Sequence, residues 1–230
     1  MAFSLLEAMS ETCFRKPEVN IVLIGVDGAG KTSILERMKT LFQSAGRKKP
    51  PSIPIDKVQA TIGLNIAKFD IAACRVVVWD LGGAQSMRAI WRSYFADCHG
   101  CAFVVDASDA ARLREARDEF QAAARELRAL PCLVLANKQD ARGAASAGDV
   151  ERLFLDFYGA VPVSAAAGSS SPSSSRGGAT QQGTTLITAG GAASTPPSRS
   201  APILVQATSA RTTDGIVDGI LWLLDPARRR

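Results

Sequence analysis

The stretch Asn20 to Phe42, NIVLIGVDGAGKTSILERMKTLF, decides the fold. NIVLIG is an apolar run of strand length that ends in glycine, and KTSILERMKTLF carries apolar residues at helical spacing, so a buried strand feeds a helix. Between them lies GVDGAGKT, Gly25 to Thr32, which fits the G-x-x-x-x-G-K-[ST] pattern in the strand-to-helix context that the pattern requires. Gly28 and Gly30 let the backbone close around phosphates with its NH groups inward. The helix N-terminus favours negative charge, Lys31 can reach the outer phosphates, and Thr32 can ligate magnesium. Gly25, Asp27, Gly28, Ala29, Gly30, Lys31, Thr32 and Ser33 form the expected phosphate side of the site.

Working outward, TIGLNIAKFDI (61–71) and CRVVVWD (74–80) read as strands, and so do GCAFVVDA (100–107) and CLVLAN (132–137). Leu113, Ala116, Phe120, Ala123 and Leu127 mark one face of an intervening helix. APILVQAT (201–208) resumes a strand, and DGIVDGILWLL (214–224) places Ile216, Ile220 and Leu223 on a helical face. Strands alternating with helices predict an α/β fold, a central, mostly parallel six-stranded sheet with helices on both faces.

Three segments fall outside that pattern. Phe3, Leu6, Met9 and Cys13 recur at three- and four-residue intervals and predict an N-terminal amphipathic helix over 1–16. Residues 43–59, rich in proline, lysine and arginine, predict an irregular connection. Residues 164–200 change to Ser, Ala, Gly, Thr and Pro and cannot bury enough surface to order themselves, which predicts a disordered insertion. A single domain over 17–163 and 201–225 is therefore expected, with a basic tail at 226–230.

Two further motifs address the ligand. NKQD, Asn137 to Asp140, sits at the carboxyl end of CLVLAN, where α/β sheets bind ligands. Asp140 can accept two hydrogen bonds from the guanine ring NH and amino group, which adenine lacks. Asn137 can contact the base edge, Lys138 can stack its stem, and in QATSA (206–210) Ser209 and the Ala210 NH complete a guanine pocket, the latter facing the base carbonyl. In VVVWDLGG (76–83), Asp80 can hold a magnesium-bound water and the Gly83 NH can meet a γ-phosphate; upstream, Thr61 offers magnesium a hydroxyl. The catalytic set is thus Lys31, Thr61 and Gly83, the metal ligands are Thr32 and Thr61, and the cofactors are GTP or GDP with Mg2+.

Composition narrows the alternatives. The chain has 230 residues, 47% of them apolar, enough for one well-buried domain. The net charge of +5 suits acidic membrane surfaces or nucleic acid, but the basic residues are dispersed except at Arg228, Arg229 and Arg230, so no nucleic-acid patch is predicted. The five cysteines lie in or near apolar runs and read as reduced thiols. Cys98 and Cys101 form a C-x-x-C with only His99 between them, too few ligands for zinc. No apolar run approaches a membrane span and no signal peptide is evident, which predicts a cytosolic, at most membrane-apposed protein.

In order, GVDGAGKT, ATIGLNI, WDLGG, NKQD and QATSA resemble the small GTPases of the ADP-ribosylation factor family, with Asp27 and Trp79 as the marks of that branch. LLEAMSETCFRK, ADCHG and LVLANKQD are most similar to its factor-related branch. The resemblance implies a P-loop NTPase small G-domain that switches between GDP and GTP at Golgi and trans-Golgi membranes. It also implies an exchange factor, an activating protein and effectors as partners. In that family the nineteen residues between Thr61 and Asp80 frame a hairpin that slides when GTP binds and displaces the N-terminal helix. Leu64, Trp79 and Tyr94 fall where the family presents an apolar effector surface, although core positions fit them equally well.

Three departures matter. Ala2 follows Met1, so the family's myristoyl anchor on glycine is not expected. The loop before Thr61 is longer than in the main members. The family reads WDxGGQ where this chain reads WDLGGAQ, so Ala84 stands in place of the glutamine that orients attacking water, and Gln85 comes one residue late. Slow hydrolysis is expected, with a non-hydrolysing GTP-bound docking module as the alternative.

Overall fold

The computed structural model describes residues 16–42, 53–71, 73–127, 130–155 and 202–228. The expected N-terminal helix over 1–16 and the expected insertion at 164–200 lie outside them. Six strands form one sheet: β1 (Glu18–Ile24), β2 (Leu64–Ile71), β3 (Cys74–Leu81), β4 (Gly100–Asp106), β5 (Cys132–Asn137) and β6 (Ile203–Ala207), in the order β2-β3-β1-β4-β5-β6. All neighbours are parallel except β2 and β3, an antiparallel hairpin at one edge. The sheet is six-stranded and mostly parallel, as the strand-helix alternation predicts. β6 pairs with β5 from Cys132↔Ile203 to Ala136↔Ala207, so the chain beyond residue 201 returns to the same sheet.

Five helices connect the strands among the described residues: α1 (Lys31–Leu41), α2 (Arg92–Phe95), α3 (Leu113–Glu126), α4 (Ala147–Leu155) and α5 (Ile216–Leu224). α1 packs with α5, and α3 packs with α2 and α4, so two helical layers cover the sheet. Every residue of β5, and all of β4 but Asp106, is buried or nearly so, which explains why these strands read as continuous apolar runs rather than alternating ones. Phe103 of β4 lies edge-on to Phe120 of α3 at 5.3 Å, and Phe154 of α4 completes the cluster at 5.5 Å from Phe120. These rings fix α3 and α4 against the sheet.

Two local departures from regular helix and strand shape the site. Residues 55–57 form one 3-10 turn in the connection before β2. After β3 the chain enters a 3-10 helix, Gln85–Trp91, with Ala84 at its N-cap, before turning α-helical at Arg92.

Candidate functional site

The turn between β1 and α1 is built on glycine because side chains would not fit. Gly30 caps α1 at φ 95°, and a Cβ there would lie 2.4 Å from the Asn137 amide nitrogen. The α1 first turn carries no acidic residue, so its open N-terminus offers unopposed amide dipoles to an anion. Lys31 is buried and donates to the Gly25 and Val26 carbonyls at 2.8 and 3.0 Å, an arrangement that lays its side chain back over the turn. Burial brings the Lys31 pKa down to about 8, partly offset by the charges of Asp80 and Asp27.

Facing it, three oxygen-bearing side chains from separate segments converge. The Thr32 and Thr61 hydroxyls are 2.6 Å apart, and they donate to Asp80 Oδ2 at 2.9 and 3.1 Å. Asp80 is completely buried, and its Oδ1 has no hydrogen-bond partner. Burial pushes its pKa up, against the hydrogen bonds from Thr32 and Thr61 and the Lys31 charge that pull it down. A buried carboxylate with one oxygen free, beside two hydroxyls, is a hard-oxygen donor set for a small divalent cation that takes its remaining ligands from phosphate and water. Magnesium fits these residues.

Gly83 approaches so closely that a Cβ on it would lie 2.3 Å from Lys31 Nζ and 2.6 Å from the Asp27 amide nitrogen. Only glycine allows the chain after β3 to touch the turn after β1. Between these segments and residues 58–61 lies a cavity of about 340 Å³, into which Asp27, Lys31, Thr32, Ser33, Thr61 and Gly83 face. Of the phosphate-side residues expected from sequence, Asp27, Gly28, Gly30, Lys31, Thr32 and Ser33 line this cavity, while Gly25 and Ala29 do not. Ala84 lines the same cavity and Gln85 does not.

At the far end, the residues expected at a base are arranged differently from the sequence reading. Asn137 is buried and does not point to open space: its amide donates to the Ala29 carbonyl at 2.8 Å, and its oxygen accepts the Ala210 NH at 3.0 Å. The Ala210 NH, expected at the base carbonyl, is thus taken by Asn137. Asn137 braces the phosphate turn to the β6–α5 loop because its side chain is short and the two backbones pass on either side of it. Lys138, at φ 65°, pairs with Asp106 at 2.6 Å, a contact that lowers the Asp106 pKa although burial opposes it. Asp140 accepts from Ser209 Oγ and, at 3.1 Å, from Arg211 Nε; the Ser209 hydrogen bond is the main cause of its lowered pKa. Asn137, Lys138, Asp140, Ser209 and Ala210 do lie together, but Arg211 was not anticipated.

Leu64, Trp79 and Tyr94 lie on and beside the β2–β3 hairpin. Trp79 and Tyr94 are half-buried with ring centroids 5.5 Å apart. Ile66, the cross-strand partner of Trp79, is half-exposed, and Ile62 is 88% exposed. The outer face of β2 is therefore more apolar than three residues suggested. Its period-two alternation, Leu64 and Ile66 out against Ala67, Phe69 and Ile71 in, was the signal available in the sequence.

The C-x-x-C cysteines are free and buried, and burial raises the Cys98 pKa to about 11, so these thiols are core residues. No cluster of His, Cys, Asp or Glu among the described residues could hold a metal by itself, and none of their helices is long and apolar enough to cross a membrane.

Residues 5–156, more than half of the chain, match the model of the ADP-ribosylation factor family. The chain is 37% identical over 156 residues to ADP-ribosylation factor-related protein 1 of Rattus norvegicus, covering 67% of this chain and 76% of the relative. It is 33% identical over 155 residues to ADP-ribosylation factor-like protein 3 of Saccharomyces cerevisiae, covering 66% and 75%. Among solved structures, the Arl6 BBS3 small GTPase of Trypanosoma brucei with bound nucleotide analogue GppNp is similar in fold. It superposes with a TM-score of 0.63 at 23% identity, over 92% of this chain and 98% of that one.

Proposed function

The chain belongs to the ADP-ribosylation factor family of small GTPases, and from that premise we propose a GDP/GTP switch with slow hydrolysis that recruits effectors at Golgi and trans-Golgi membranes. Binding of guanine nucleotide and hydrolysis of GTP come with the family; the slow rate, magnesium and the membrane are this reading's own. The observation that carries it is the convergence of Lys31, Thr32, Thr61, Asp80 and Gly83 around one cavity that Ala84, not glutamine, completes.

Thr32, Thr61 and Asp80 would hold magnesium, which when bound would neutralise negative charge on the phosphate oxygens. Lys31 adds a second positive charge on the same oxygens, and the Gly83 amide can donate to the γ-phosphate. Hydrolysis joins water to the γ-phosphorus and breaks its bond to the β-bridging oxygen, releasing GDP and phosphate. The attacking water must be held in line, and the Ala84 methyl can neither accept its proton nor orient it. Electrostatic stabilisation is therefore in place while water positioning is not, and the GTP form persists until an activating protein supplies the missing group.

Leu64, Trp79 and Tyr94, extended by Ile62 and Ile66, support an effector surface on the β2–β3 hairpin. The alternative, a docking module that never hydrolyses GTP, is favoured by Ala84 alone. Single-turnover hydrolysis with and without a cognate activating protein separates them: slow but stimulated turnover supports the switch, and none in either condition supports the module. Competition by GDP but not ADP is expected. Imaging the tagged chain against a trans-Golgi marker tests the location, and absence of overlap in the GTP-loaded state would overturn it.

A further inference from the structure

The glycine turn after β3 is gripped by side chains that the nucleotide reading leaves without a role. The 3-10 helix Gln85–Trp91 has three residues per turn, so Arg88 and Trp91, three apart, project from the same face. Both are buried. Trp91 donates its indole NH to the Gly82 carbonyl at 3.0 Å, and Arg88 donates Nε to the Gly83 carbonyl at 2.9 Å.

These bonds fix more than two oxygens. In a planar trans peptide the carbonyl and the following amide point in opposite directions. Holding Gly82 by its oxygen therefore sets the direction of the Gly83 NH, and holding Gly83 by its oxygen sets that of the Ala84 NH. Among the described residues neither amide has a hydrogen-bond acceptor. Gly83 is buried, and both residues line the cavity beside Lys31. Ala84 is exposed, but buried amides are rarely left unpaired, so the buried Gly83 amide, with the Ala84 amide beside it at the same cavity, points to a ligand that accepts hydrogen bonds.

The holding residues are themselves anchored on rigid elements. The Trp91 ring packs edge-on to Phe103 of β4 at 6.4 Å and 86°. The Arg88 guanidinium is paired with Glu119 of α3 at 2.8 Å and with Glu115 of the same helix. Orientation at the glycine turn is thus transmitted from β4 and α3.

We propose that Trp91 and Arg88 are positioning residues that set the two peptide planes flanking Gly83 and aim the Gly83 and Ala84 amides at the terminal phosphate of GTP. This rests on the nucleotide reading above. With alanine at position 84, backbone amides are the donors that this turn presents to a γ-phosphate, and GDP, lacking that group, does not meet them.

Trp91→Phe keeps the ring and deletes only the NH. The test measures affinity for GDP and for guanosine β,γ-imidotriphosphate, together with the melting temperature. The expected result is about a five- to tenfold loss for the triphosphate analogue, the scale of one hydrogen bond, with GDP affinity and melting unchanged. Arg88→Gln should give the same selective loss, and Arg88→Lys, which retains one charged donor, should recover part of it. Equal losses for both nucleotides, or no loss for either in folded variants, would overturn the inference. Wild-type protein that binds neither nucleotide would instead overturn the nucleotide reading, and the inference with it.

Discussion

Asn137 accepts the Ala210 amide on its side-chain oxygen at 3.0 Å, joining loops 73 residues apart, while its amide nitrogen donates to Ala29 at 2.8 Å. One buried side chain thus ties the phosphate turn, the end of β5 and the β6–α5 loop together. Asn137→Ala would strand the Ala210 NH and the Ala29 carbonyl, at ~1–3 kcal/mol for each buried group left unpaired. A drop of several degrees in melting temperature should accompany weakened GDP binding, read by calorimetry on one sample. Unchanged melting would show that these bonds are dispensable.

At Asp140 the carboxylate is held ionised by Ser209 and Arg211. Asp140→Asn removes the acceptor matched to the guanine NH groups, and a hydrogen bond to a charged group is worth about 1.5–3 kcal/mol. GDP affinity should fall on the order of ten- to a hundredfold, with preference shifting towards the xanthine nucleotide. Competition binding checks this, and equal GDP affinity in the variant would refute the base-reading role.

Asp80 has a folded-state pKa raised by burial. Its stabilising contribution is therefore full below the unfolded value and is lost as pH rises through the folded one, so at neutral pH its carboxylate destabilises the nucleotide-free protein. Asp80→Asn should raise the melting temperature of that form at neutral pH. It should also abolish the extra stabilisation that magnesium adds to bound GDP in wild type. Thermal melts with GDP, with and without the ion, test both halves.

Lys31 behaves in the opposite sense. Its pKa is depressed to about 8 in the folded protein, below the ordinary 10.5, so the nucleotide-free form should gain stability as pH rises between these values. Phosphate contacts favour the protonated amine, and GDP affinity should consequently weaken as pH rises above about 8. A flat affinity profile through that range would separate Lys31 from the phosphates.

Ala84 lines the phosphate cavity and Gln85 does not. Ala84→Gln should therefore raise activator-stimulated single-turnover hydrolysis by about tenfold or more, the low end of what positioning a reactant contributes, with GDP affinity unchanged. Gln85→Ala should leave the rate as it is. The reverse pattern would mean that Gln85 swings inward and supplies the missing group.

The sequence by itself determined the sheet and the phosphate side of the site. A strand, a glycine turn and a helix are local patterns, and the contacts of GVDGAGKT with phosphate are made largely by backbone whose shape those glycines dictate. Asp80 was also legible, because it follows a countable apolar run at the end of β3, and Thr61 because it lies in the loop just before the alternating strand β2. The tertiary structure decided what depends on neighbours distant in sequence. Asn137 spends its side chain on Ala29 and Ala210 because two loops close on it. Arg211 finds Asp140 across 71 residues. Arg88 and Trp91 read as ordinary helix residues until a 3-10 turn brings both onto one face against Gly82 and Gly83. Local propensity sets backbone shape, but a side chain's hydrogen-bond partner is set by whichever backbone the fold brings within about 3 Å of it.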